Sequence, residues 1–293
     1  MGDLVGPPFQ FVKVSDEGTR SPFIARIFFG LIHFRDQVYL LGVADHELPR
    51  AKQAFDTAFN PLLEAAQATR DAAREILGLV STHVQAIGSG EAVRFRPNQY
   101  EILKSINAPL SQAFDKLVDQ SIVATKGALQ PFLREILDLD IGFFFQREAA
   151  FSEGVARLSS RGEKPFSMYL QTARSTWHAE LQELRSKHEH ERWTLPGLKY
   201  TLVADHQVAV RIPLILNLPV HEYARATANR VLRFIEDTVL YAMLRKCPFP
   251  LFLVEIPAGQ RDLDNPKRFR LAPRGLDSSP PWEIYYGESA DFV

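Results

Sequence analysis

The chain has 293 residues and a formal net charge of −1, so it is long enough for one or two domains and has no overall attraction for nucleic acid or an anionic membrane. Its single cysteine, Cys247, excludes an internal disulfide and a cysteine-rich zinc site, which agrees with a cytoplasmic location. The most apolar run, residues 23–34, contains Arg26 and His33 and is too short to cross a bilayer.

The first predicted elements are strands. Residues 8–14 are rich in strand formers, and two further β-favouring runs, 24–34 and 37–43, are separated by Arg35 and Asp36. These two runs predict a hairpin, with a buried helix over residues 25–32 as the alternative.

A long apolar ladder begins after residue 48. Its members are spaced alternately four and three residues apart, which is the period of about 3.5 residues found in helices that pack lengthwise. We expect a helix over residues 48–87, either kinked or divided at Pro61, and we expect His83 to be hydrogen-bonded within the seam. The ladder consists of Phe55, Phe59, Leu62, Ala66, Thr69, Ala73, Ile76, Val80, His83 and Ile87.

Two further helical regions follow. The first covers about 98–139 with breaks near residues 107 and 130, and its short link to the ladder predicts an antiparallel helical hairpin. Residues 141–145 contain three phenylalanines and predict a buried strand or a core plug. The second covers 166–193 with one apolar face, formed by Leu170, Ala173, Trp177, Leu181 and Leu184.

Strand patterns return after residue 197. Residues 200–204 and 208–216 predict a hairpin, 220–246 an amphipathic helix and 251–256 a central strand. From residue 257 onwards, prolines, glycines and charges indicate a loop-rich tail, with a short strand at 282–286.

Together these elements predict a predominantly helical α+β protein. In this interpretation a bundle of three to four helices, residues 48–195, is inserted in or appended to a small mixed β platform. The platform is formed by residues 8–45 and 197–256, and residues 257–293 are the tail. Two sequential domains are the alternative.

The histidines on the third helical region are the only candidates for a metal site, and their spacing argues against one. His188 and His190 point to opposite sides of a helix, and His178 lies ten residues before His188. A solvated helical face is therefore the favoured interpretation. No glycine-rich phosphate loop is found, and we predict neither a metal nor another cofactor.

Two sets of residues are weak catalytic candidates. Arg185 and His190 have the Arg-x4-His spacing used by a family of helical ribonucleases, although Ser186 is not the amide or acid usually found after that arginine. Asp205, His206 and Glu255 lie at the ends of predicted β elements, where they could form an acid–base cluster. Turn formation explains the first two, and an ion pair with an arginine such as Arg211 or Arg233 explains the third.

The favoured functional hypothesis is a non-enzymatic interaction or scaffold protein that acts through its helical bundle, with a protein partner or a second copy. Its interface would be the ladder, Phe55, Phe59, Leu62, Ala66, Thr69, Ala73, Ile76 and Val80, if part of the ladder is exposed. The alternatives are a hydrolase acting on nucleic acid and a membrane-active helical protein. Membrane contact is not expected, and nucleic acid could be bound only through the basic tail, Lys267, Arg268, Arg270 and Arg274.

Overall fold

The fold is α+β and predominantly helical, with small antiparallel strand pairs. It was obtained as a computed structural model. The structure describes residues 27, 30–96, 99–191, 193–203, 207–248, 251–256, 260 and 269–273. The strands predicted at residues 8–14 and 282–286 lie outside these residues.

The described helices after residue 47 form four long runs and one shorter helix. They are α1 (Leu48–Gly88), α2 (Asn107–Ile122), α3 (Gln130–Ile136), α4 (Glu148–Ser160), α5 (Lys164–Ala173), α6 (Ala179–Glu191) and α7 (Val220–Arg245). A π-helical segment, Val123–Leu129, makes α2 and α3 continuous, and a second one, Arg174–His178, joins α5 to α6.

The described strands form four separate antiparallel pairs. They are β1 (Val93–Arg96) with β2 (Gln99–Ile102), β3 (Lys199–Leu202) with β4 (Val208–Arg211), β5 (Leu214–Ile215) with β6 (Leu218–Pro219), and β7 (Leu251–Glu255) with β8 (Phe269–Pro273).

Helix α1 is one helix that passes through Pro61 without ending. Every member of the ladder is at most 5% exposed. The Nε2 of His83, a polar member of the ladder, is hydrogen-bonded to the hydroxyl of Tyr200 at 2.8 Å. The neighbouring Val84 is exposed. The prediction of a hydrogen-bonded histidine in the seam is therefore confirmed.

Helices α1 and α2 pack as the predicted antiparallel pair. Phe55 and Phe59, near the start of α1, contact the ring of Phe132 in α3, whereas Glu75, farther along α1, forms an ion pair with Lys116 in α2. Helix α7 packs on α1 as well. Its predicted apolar face is buried, and this face consists of Ala224, Ala228, Val231, Ile235, Val239, Ala242 and Met243.

The hairpin predicted for residues 24–43 is wrong wherever the structure describes that stretch. Residues 30–34 are helical, Arg35–Tyr39 form a π-helical segment and Leu40–Gly42 a 3-10 turn. The helical backbone places Arg35 inside the protein, where its guanidinium pairs with Asp36 and with Asp56 of α1. A β-favouring composition was overridden by this tertiary packing.

The second helical region also begins later than predicted. Residues 99–102 are strand β2, which the sequence pattern had assigned to a helix, and α2 starts at Asn107, where a break was expected. Helix α4 was not predicted either. It packs against the 3-10 turn Gly142–Phe145, a core plug in which Phe143 lies so close to Gly154 that a Cβ there would be 2.1 Å from its ring.

In the C-terminal part, the predicted hairpin and helix α7 are confirmed, except that the strand predicted over 208–216 ends at Arg211 and residues 214–215 pair separately. Strand β7 is paired with β8, which lies in the predicted loop-rich tail. One continuous core contains side chains from residue 27 to Phe269, so the proposed arm and the proposed platform share it. The division into arm, platform and tail stays a prediction.

Candidate functional site

A pocket of about 220 Å³ lies beside α6, where this helix faces the π-helical segment Val123–Leu129. The members contributed by α6 follow helical spacing, because positions 182, 185, 186, 189 and 190 share one face. The pocket is lined by Ile122, Lys126, Phe145, Gln182, Arg185, Ser186, Glu189 and His190.

The polar groups of the pocket are only partly paired. Arg185 donates through Nε to Glu189 Oε1 at 2.8 Å, and Gln182 Nε2 donates to the carbonyl oxygen of Phe145 at 3.4 Å. Within the described residues, neither Lys126 nor His190 has a hydrogen bond or an ion pair. The two cations Lys126 and Arg185 outnumber the one carboxylate, Glu189, so these three side chains give the pocket a net positive charge.

Lys126, which lines the pocket, belongs to the π-helical segment Val123–Leu129. Such segments are rare and are often found at functional sites, because the wider turn changes which side chains share a face. Gly127 follows Lys126 within the segment. The apolar part of the pocket is supplied by Ile122 and Phe145, which are nearly buried.

His188 points away from this pocket. Its Nδ1 lies 3.3 Å from Asp115 Oδ1 of α2. Burial raises the pKa of the Asp115 carboxyl above its ordinary value, and the charge of His188 partly opposes this shift. Arg185 lies between the larger pocket and the pair of His188 and Asp115, since it also lines the small pocket that contains these two residues.

His178 is fully buried among aromatic rings. Its ring centroid is 4.3 Å from that of Phe144 and 5.4 Å from that of Phe145, and neither of its nitrogens has a hydrogen-bond partner among the described residues. Burial, with a smaller contribution from the charge of Arg174, lowers the pKa of His178 to about 3. This imidazole is therefore neutral at physiological pH.

The three histidines considered as metal ligands thus occupy three different environments. His178 is in the core, His188 is beside Asp115 and His190 is in the pocket. The part of the chain that the structure describes contains no group of three or more residues arranged to hold a metal ion.

The other sequence candidates are only partly covered. Asp205 and His206 lie outside the described residues. For Glu255, in β7, the structure gives the backbone, which is paired with Phe269 of β8. In the basic tail, Arg270 is an exposed residue of β8. Lys267, Arg268 and Arg274 are not described. Arg185 and His190 are therefore the only catalytic candidates that the structure can place together.

The residues predicted as an interface lie in the core of a single chain. Phe55, Ala66, Ala73 and Ile76 have no exposed surface, and the remaining members are nearly as deeply buried. They are covered by α2, α3 and α7, so a partner could contact the seam only if α1 separated from these helices. The small side chains in the seam serve close packing within the chain.

Three exposed leucines form a second surface feature, which was not predicted from the sequence. Leu214, Leu216 and Leu218 lie in the two-residue hairpin of β5 and β6. Leu216 and Asn217 in its turn have φ of 49° and 69°. The available signal was the run Leu-Asn-Leu between two short extended segments, since asparagine favours this backbone conformation.

These features define the class of protein only by its fold, a predominantly helical α+β protein with a cationic pocket on its third helical run. No protein-family model, no curated protein and no solved structure matches the chain. Among the described residues, no helix combines the length and the apolar character that crossing a membrane requires.

Proposed function

We propose that the protein is a hydrolase acting on the phosphodiester bonds of nucleic acid, with its site in the pocket beside α6. One observation carries the proposal: Lys126, Arg185 and His190 line the same pocket, although Lys126 is about sixty residues from the others in sequence. Arginine and lysine are the residues that bind phosphate oxygens, and histidine is the side chain best suited to move a proton near neutral pH.

Each of these groups has hydrogen-bonding capacity left for a ligand. Arg185 bonds Glu189 through Nε, which leaves its two Nη groups for a phosphate, and the same bond holds the guanidinium in place. Lys126 adds a point charge from the opposite wall. Phe145 and Ile122 supply an apolar floor on which a sugar or the edge of a base could rest.

The proposed reaction uses water as the nucleophile. A water molecule attacks the phosphorus atom, neutral His190 accepts one of its protons, and the bond from phosphorus to the leaving oxygen breaks. The leaving oxygen takes a proton from solvent, so that the products are a phosphate monoester and an alcohol. Arg185 and Lys126 stabilise the additional negative charge that develops on the phosphoryl oxygens.

The test is cleavage of labelled single-stranded RNA and DNA oligonucleotides by the full chain. We expect His190→Ala to bind the oligonucleotide but to cleave at least about a hundredfold more slowly. Arg185→Ala and Lys126→Ala should weaken binding, with a reduced dependence of affinity on salt. Lys187→Ala is the matched control, because Lys187 is on the same helix, pairs with Glu183 and does not line the pocket.

Parallel purification of His190→Ala also reveals any contaminating nuclease, since contaminating activity would survive the substitution. Cleavage that is equal in the wild type and in this variant would contradict the proposal. Binding that depends on Arg185 without any cleavage would contradict the hydrolase and leave a nucleic-acid-binding site.

A second candidate function is the interaction or scaffold role, with a protein partner or a second copy contacting the outer faces of the bundle. It is favoured by a groove of about 760 Å³ between α4 and the α5–α6 run, where Ser152, Ala156 and Ser175 present small side chains. Light scattering over a range of concentrations tests self-association. A strict monomer, or a dimer that survives Ala156→Trp, would contradict self-association through this groove.

A further inference from the structure

The β5–β6 hairpin exposes an unusual amount of apolar side chain. Leu214 is 56% exposed, Leu216 is 50% and Leu218 is 37%, whereas Ile215 between them is buried in the core. The hairpin is therefore anchored by one side chain and presents the other three to the outside. Contiguous exposed apolar groups are typical of surfaces that bind a protein, a membrane or a ligand.

The turn of this hairpin does not require leucine. Leu216 and Asn217 both have the left-handed backbone conformation typical of two-residue hairpins, where asparagine and glycine are the residues with least strain. A leucine in that conformation is disfavoured by contact of its Cβ with the backbone. Turn formation therefore does not explain the exposed side chain of Leu216.

Two cations lie on the strands that lead to the leucines, Arg211 through the chain and Lys199 through its pairing with Arg211. Lys199 and Arg211 are directly opposite each other at the base of the β3–β4 hairpin, and Arg211 precedes Leu214 by three residues. Both are exposed, and neither forms an ion pair within the described residues. Like charges that face each other across two strands repel, so an anion between them would be stabilising.

The alternation of side chains along a strand explains why these cations point outward. Tyr200 and Val210 are the adjacent opposed pair and pack against the end of α1, so Lys199 and Arg211 occupy the other face of the hairpin. The exposed carboxylate of the described residues nearest in sequence to Arg211 and the leucines is Glu222, in the first turn of α7. The leucines and the two cations together form what we call the leucine–cation surface.

We infer that the leucine–cation surface binds the surface of an anionic lipid bilayer, with Leu214, Leu216 and Leu218 inserted among the lipids. A two-residue hairpin tip is convex and has no groove for a complementary protein, whereas a fluid bilayer accepts such a tip without matching its shape. The phosphate and carboxylate groups of anionic lipids would balance the charges of Lys199 and Arg211. This contact is peripheral and requires no spanning helix.

The experiment is co-sedimentation of the full chain with two kinds of vesicle, phosphatidylcholine alone and phosphatidylcholine with about one third phosphatidylserine. We expect binding to the anionic vesicles and much weaker binding to the neutral ones. Replacing Leu214, Leu216 and Leu218 by serine should reduce the partition coefficient at least about tenfold. Lys199→Ala with Arg211→Ala should reduce it about thirtyfold, which corresponds to about 2 kcal/mol.

The matched charge control is Arg50→Ala with Lys52→Ala. Both residues are exposed near the start of α1, whereas the β3–β4 hairpin packs at its other end. Met168→Ser controls for loss of an exposed apolar side chain. Circular dichroism melting confirms that each variant is folded.

Three outcomes would overturn the inference. The first is a wild-type protein that does not bind anionic vesicles, and the second is binding that is unchanged by the leucine substitutions. Equal loss of binding in the Arg50 and Lys52 control would show that general surface charge is responsible. Because Lys126, Arg185 and His190 are untouched, failure here is distinguishable from failure of the proposed hydrolase.

Discussion

The seam of α1 and the pocket face of α6 are both built by regular helical spacing, yet they have opposite character. The seam is predominantly apolar and buried, while the pocket face is charged, more exposed and only partly paired. The seam stabilises the molecule, whereas the pocket face leaves polar side chains available for a ligand. Periodicity therefore identifies a face, and the composition of that face indicates whether it is used for stability or for binding.

The largest expected effect is on the seam. Phe55→Ala removes a fully buried ring that contacts Tyr39, Phe59 and Phe132, so the free energy of unfolding should fall by about 3–5 kcal/mol. Denaturation in urea measures this change. Val84→Ala, on the exposed side of the same helix, should change it by less than about 0.5 kcal/mol. Similar values for the two variants would contradict the assignment of the seam to the core.

The next effect concerns His178, whose buried ring contacts Phe145 of the pocket. Its folded-state pKa of about 3 is below the ordinary value of 6.5, so protons bind preferentially to the unfolded chain and stability is lost as the pH falls below about 6.5. At pH 4 the loss should be about 3 kcal/mol. His178→Leu should abolish this part of the pH dependence in urea denaturation curves. Identical pH dependence in the two proteins would contradict the buried neutral state.

A smaller effect is expected for the polar member of the seam. Tyr200→Phe removes the hydroxyl that bonds His83 and should lower the free energy of unfolding by about 1–2 kcal/mol. The cost should largely disappear in a His83→Leu background, because no partner is then left unpaired. An unchanged cost in that background would show that the hydroxyl acts elsewhere.

The smallest effect on stability is expected in the pocket face. Arg185→Ala removes an exposed ion pair with Glu189 and should change the free energy of unfolding by less than about 0.5 kcal/mol, while oligonucleotide binding is weakened. Lys187→Ala removes the equivalent pair with Glu183 and should leave binding intact. A large loss of stability in Arg185→Ala would mean that the pocket face is part of the structural framework.

Elements with strong periodicity were predictable. The ladder of α1, the apolar face of the third helical run and the face of α7 are buried as their spacing predicted, since a regular apolar face needs a cover and a long helix supplies one. Short or irregular stretches were not predictable. Residues 35–43 and the β1–β2 hairpin have local compositions that fit either state, and packing against α1 decides between them.

The pocket was half predictable. The spacing of Arg185 and His190 could be seen in the sequence, because both belong to one helix. The same helical geometry argued against a metal site formed by the histidines. Lys126 was missed, because no local pattern relates it to α6. The two meet only because the second and third helical runs pack beside each other.

By itself the sequence determined which faces had to be covered, because hydrophobic burial acts on every apolar stripe regardless of the partner. Only the tertiary structure decided what covers each stripe and which polar groups meet. Such meetings join residues far apart in the chain, as with His83 and Tyr200 or Lys126 and Arg185. Their energies appear only after the chain has folded, so no local pattern records them.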